Sequence, residues 1–156
     1  MATHSVQETF DLGMEYLKQN RILEASNAFR KALKTDPDNP HFLSYYGLIL
    51  AIGEGNFQDA INFCRAAILK AAHDPELYVN LCRVYSKAGQ RKKALETLLE
   101  GLHQDRGNQR LLLEMKKMGC RRKPVFNFLS RDHFLNKTVG RLTYQLNKAA
   151  RLRRGH

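Results

Sequence analysis

Six histidines, three cysteines and a few closely spaced acids are the side chains whose types could support chemistry. A metal site needs ligands at turn spacing, such as histidines four residues apart or a Cys-x-x-Cys pair. His4, His41, His73, His103, His133 and His156 are scattered, and Cys64, Cys82 and Cys120 contain no such pair. An odd cysteine number also gives no disulfide framework. Cys64 and Cys82 lie among apolar residues at helical spacing, as small core residues in a reducing compartment do. Asp36 and Asp38 in DPDNP are better explained as helix-stop and capping residues than as an acid-base pair. Gly53 and Gly55 in AIGEGN form a turn, with no GKS/T after it to cradle phosphate. Neither GxSxG nor HExxH occurs. The sequence therefore predicts no catalytic residue, no metal, no cofactor and no small-molecule substrate.

The strongest chemical asymmetry is charge. Residues 1–118 hold 16 Lys+Arg against 14 Asp+Glu, whereas residues 119–156 hold 10 against Asp132 alone, a net of +9. Such a block favours anionic partners. The first residues, MATHSVQETFDLG, lack the basic and apolar regions of a secretory signal. No apolar run approaches the ~20 residues that a membrane-crossing helix needs. A soluble, cytoplasmic protein is expected.

The elements that carry these residues repeat. Residues 6–39 and 75–108 align without a gap over 34 positions. Leu12 matches Leu81, Gly13 matches Cys82, Tyr16 matches Tyr85, Ala25 matches Ala94 and Asp36 matches Asp105. Residues 40–74 form a further copy, with Leu43, Gly47, Leu50, Ala60 and Ala67 in the same roles. It adds a residue in its turn (GEGN) and about one helical turn near its end (ILKAAH). Within 75–88, Leu77, Tyr78, Leu81, Cys82 and Tyr85 recur at three- and four-residue intervals, one apolar helix stripe. Within 91–103, Ala94, Leu95, Leu98, Leu99 and Leu102 form a second. Gly89 separates them, where a left-handed residue ends a helix at least cost. Asn39-Pro40 and Asp74-Pro75 read as an N-cap followed by proline in the first turn. Gly47 or Cys82, facing Ala60 or Ala94, lets paired helices approach closely.

This pattern resembles the tetratricopeptide repeat family over residues 6–108. Small residues stand at the eighth and twentieth positions, an aromatic or leucine at the eleventh and alanine at the twenty-seventh. Thr9 replaces the usual large fourth residue, Gly101 a late alanine and Arg106 a proline. The resemblance implies an all-α fold, a right-handed superhelix of stacked antiparallel helix pairs. Residues 1–5 would be a flexible lead, 6–39, 40–74 and 75–108 the repeats, and 109–118 a solvated capping helix.

The resemblance also implies a non-catalytic scaffold whose inner face binds a peptide or helix. Its inner positions fall on Gln7, Phe10, Met14, Leu17 and Lys18, then on His41, Ser44, Leu48, Ala51 and Ile52. In the third repeat they are Glu76, Val79, Arg83, Ser86 and Lys87. Gln7, Phe10, Met14, Leu48, Ile52, Val79, Arg83 and Lys87 are the candidate groove. Chaperone-binding members of the family hold a terminal carboxylate with lysine, asparagine and arginine. Phe10, Met14 and Tyr45 occupy three of those positions here, so that clamp is absent. The expected groove is apolar at one end and mixed at the other, suited to an apolar or amphipathic ligand. Packing of the same side chains against neighbouring helices is the alternative. Bacterial secretion chaperones share the three-repeat plan but tend to be acidic.

Residues 119–156 are an addition to the repeat module that the resemblance does not cover. Gly119 and Arg121-Arg122-Lys123-Pro124 stop the preceding helix. PVFNFL (124–129) reads as extended, and Ser130 as an N-cap with Asp132 in the first turn. Phe134, Leu135, Val139, Leu142 and Leu146 then form the apolar face of an extra C-terminal helix, starting near residue 131. Arg131, Lys137, Arg141, Lys148 and Arg151, with Arg121, Arg122 and Lys123 before them, form its basic face. Three destinations are open. The helix packs on the repeats or on a second copy of the chain as a homo-oligomer; it meets nucleic acid or anionic lipid; or it is a solvated extension ordered by a partner.

Overall fold

Each first helix of a pair starts on a side-chain cap, and those caps set where the chain turns. In the computed structural model, which describes residues 5–119, Ser5 and Glu8 form a reciprocal capping box at the start of α1 (Val6–Lys18). Ser5 Oγ accepts from Glu8 N at 3.1 Å, and Ser5 N donates to Glu8 Oε2 at 2.8 Å. Ser5 is thus the N-cap of the first helix. Asn39 caps α3 (Pro40–Ile49), Asp74 caps α5 (Pro75–Lys87) and Asn108 caps α7 (Gln109–Lys117). Each cap is worth about 1 kcal/mol relative to alanine.

The second helices are α2 (Ile22–Thr35), α4 (Phe57–Lys70) and α6 (Arg91–Gln104). Asn20 and Gly89 hold the reversal at matching positions of the first and third repeats, with φ of 58° and 72°. Glycine adopts that left-handed backbone freely, and asparagine does so at modest cost. Helices α1 and α2, α3 and α4, and α5 and α6 pack as antiparallel pairs. Each pair stacks on the next, and α7 covers both α5 and α6. The result is an all-α, right-handed superhelix of helix pairs. Residues 120–156, with the predicted C-terminal helix, lie outside the described residues.

The second repeat departs from the sequence reading. Helix α4 has 14 residues, as do α2 and α6, so no added turn follows it. The extra residue is absorbed earlier, where α3 widens into a π-helical segment, Leu50–Glu54. Inserting one residue while preserving the helix on both sides produces this local widening.

Phe10, Phe29, Phe42 and Tyr45 bind the first three helices together, with ring centroids 4.9–5.6 Å apart. Such aromatic pairs add about 0.5–1.5 kcal/mol each beyond their burial. Farther along, Leu77, Tyr78, Leu98 and Leu111 are fully buried. Gly47 allows α3 to lie against α4. A Cβ built there would stand 2.7 Å from the Ala60 carbonyl oxygen and 2.9 Å from Cys64 Sγ. Cys64 and Cys82 are both buried.

Candidate functional site

The first helices present residues from successive turns to one side, and there the stack leaves an apolar depression. Its floor comes from Leu17 of α1, Leu48 of α3, Ile52 of the π-helical segment, Cys82 of α5 and Met118 after α7. Its rim carries Arg83, Ser86, Lys87 and Glu114. The cavity measures about 420 Å³, within the ~300–1,000 Å³ typical of ligand pockets. A second depression of about 310 Å³ adjoins it, sharing Ser86 and Met118 and adding Gly89, Arg91 and Lys117.

The charges around these depressions are unequal. Arg83 Nε donates to Glu114 Oε1 at 3.1 Å, and Lys117 Nζ lies 3.0 Å from Glu114 Oε2. Partial burial raises the Glu114 pKa, but the Lys117 and Arg83 hydrogen bonds outweigh it and hold the carboxyl below the usual carboxylate value. Arg91 donates its guanidinium to the Met118 carbonyl, closing the end of α7. Lys87 makes no ion pair among the described residues. Four cations, Arg83, Lys87, Arg91 and Lys117, therefore line the two depressions with one carboxylate, which is already engaged.

The other end of the inner face is built around hydrogen bonds and ion pairs between helices. Tyr45 donates its hydroxyl to Glu76, and Arg110 Nη1 lies 3.0 Å from the same carboxylate. Burial, followed by the Glu76 hydrogen bond, raises the Tyr45 pKa well above the usual phenol range. Asn80 Nδ2 donates to Ser44 Oγ at 3.0 Å within the core. His41 Nε2 stands 3.2 Å from Asp74 Oδ2. Among the described residues, no three His, Cys, Asp or Glu side chains are grouped to hold a metal ion. No helix there is long and apolar enough to cross a membrane.

Of the eight candidate groove residues, Leu48, Ile52, Arg83 and Lys87 line the depression. Phe10 and Val79 do not. They are 8% and 2% exposed, Phe10 within the aromatic cluster and Val79 within the same core, because neighbouring helices cover those positions. Gln7 is exposed on α1 and donates to Asp11 at 2.9 Å, while half-buried Met14 packs on the core. Glu114 and Met118 join the site unforeseen, since α7 reads as a cap. The signal was their place on a further first helix, next to α5. The predicted tail faces lie outside the described residues: Phe134, Leu135, Val139, Leu142 and Leu146, and Arg121 through Arg151.

Comparison with known proteins agrees with this geometry. Two tetratricopeptide repeat models match, one over residues 10–75 and one over residues 51–115. No curated protein matches the sequence. Among solved structures, the first TPR domain of human RPAP3 is similar at 19% identity, TM-score 0.62, covering 76% of this chain and 92% of that one. The TPR2B domain of yeast Sti1, solved in complex with an Hsp70 peptide, is 23% identical with TM-score 0.61, covering 75% and 98%. The Sgt2 TPR domain from Aspergillus fumigatus is 15% identical with TM-score 0.62, covering 73% and 76%.

Proposed function

This chain belongs to the tetratricopeptide repeat family, and from that premise we propose that it is a non-catalytic protein-interaction module. Its inner face, between α1 and α7, binds a short peptide or helix of a partner protein. The observation that carries this reading is the apolar depression over Leu17, Leu48, Ile52 and Met118, open between the first helices. The yeast Sti1 domain of similar fold was solved with a peptide bound, which supports a peptide as the ligand class. The mode of capture differs from the clamp on a terminal carboxylate, because Phe10 and Tyr45 are packed in the core and Glu76 is engaged by Arg110.

Display selection of random peptides on the full-length chain tests this reading. Enriched peptides should lose binding to Ile52→Lys, a change at the half-buried rim of the floor. Enriched peptides that bind the variant equally well would place recognition elsewhere.

A second reading rests on a separate observation, the ten Lys and Arg against one Asp in residues 119–156. On that reading the segment holds the module to nucleic acid or anionic lipid. Binding then weakens steeply as salt rises. A flat isotherm between about 50 and 200 mM salt would exclude it.

A further inference from the structure

Two adjoining depressions of different chemistry define a more specific ligand than an apolar groove alone. The first has an apolar floor. The second, reached past Ser86 and Met118, is bordered by Arg91 and Lys117. Lys87 stands on the rim of the first depression, next to the shared Ser86, without an acidic partner among the described residues. Glu114, the one acidic residue lining either depression, is held by Arg83 and Lys117. An apolar anchor entering the first depression therefore brings its neighbouring residues over uncompensated positive charge.

We propose that this double depression selects a linear peptide of one partner class, with a bulky apolar side chain adjacent to aspartate or glutamate side chains. The proposal rests on the peptide-binding reading above and specifies its ligand. Apolar burial supplies affinity, and the cationic border supplies register and attraction at a distance. A basic ligand is disfavoured by the same border. The chain's own residues 119–156, with net +9, have the wrong sign for it.

The test uses the full-length chain and fluorescent, acetylated and amidated peptides of about twelve residues. The probe carries one leucine flanked by glutamates, and its controls replace the glutamates by glutamine, the glutamates by lysine, or the leucine by alanine. The glutamate probe should bind about ten-fold tighter than the glutamine control, with little binding of the other two. Lys87→Glu should remove most of that advantage, and Ile52→Lys should abolish binding. Lys87 is exposed and Ile52 only half-buried, and circular dichroism verifies that the variants fold.

Equal binding of the glutamine and glutamate probes, lost on Ile52→Lys, would overturn the acidic preference while leaving the groove reading intact. Binding that survives both variants would place the probe on the basic segment and overturn the proposal. Absence of binding to all four peptides would also overturn it, while the display selection would still decide the broader reading.

Discussion

A Cβ added to Gly101 would lie 2.9 Å from Tyr78 Cγ and 3.0 Å from Leu111 Cδ1. The third repeat thus lacks its usual late alanine because Tyr78, fully buried and donating its hydroxyl to the Ala72 carbonyl at 2.9 Å, fills that space. The corresponding positions hold Thr9 with Ala32 in the first repeat and Leu43 with Ala67 in the second. Only the bulkiest of the three first-helix residues, Tyr78, is matched by glycine.

Gly101→Ala should therefore destabilise the fold by about 1–3 kcal/mol, despite alanine's better helix propensity. Combined with Tyr78→Leu, the same change should cost less than it does alone, because the collision is relieved. Denaturant unfolding of the two single variants and the double variant checks this. Strict additivity would refute the steric account.

The bridge between α5 and α7 should be pH-dependent. The Glu114 carboxyl is held below its ordinary value in the folded chain, so its contribution is complete above the unfolded-state value and disappears as pH falls through the folded-state value. Glu114→Gln should cost about 0.5–1 kcal/mol at neutral pH, a modest figure because Arg83 is partly exposed. The difference from wild type should shrink as pH falls below the ordinary carboxylate range. Thermal melts of both proteins across that range measure it, and a difference that grows on acidification would contradict the assignment.

Cys64 should resist thiol reagents while the chain is folded. Burial pushes its thiol pKa up to about 12, against a smaller opposing effect of its hydrogen bond to the Ser44 carbonyl. Peptide mapping after alkylation at about pH 8 should show Cys64 unmodified until denaturant is added, since the thiolate is the reactive form. Rapid native labelling of Cys64 would indicate that the α3–α4 contact opens readily.

Much of the solenoid was legible because its determinants are local. Asn39-Pro40 and Asp74-Pro75 announce helix starts, Gly89 announces a reversal, and the apolar stripes fix which helix faces turn inward. The π-helical segment was not legible as such. An extra residue near Gly53 is visible in the sequence, but whether a helix widens or a turn lengthens depends on the packing of Leu50 and Ala51, both buried. The groove was half legible for a related reason. Helical spacing places Phe10 and Val79 on the same face as Leu48 and Ile52, yet only the stacking of successive helices decides which are covered. Glu114 and Met118 were missed because a terminal helix reads as a lid, whereas α7 also walls the depression.

Amide chemical-shift mapping of the full-length chain, titrated with the tightest peptide from the display selection, tests the central claim most directly. The account predicts the largest changes at Leu48, Ile52, Arg83, Ser86 and Lys87, along the inner face. Changes concentrated instead around Leu23, Leu69 and Leu99, exposed on the second helices, would contradict it.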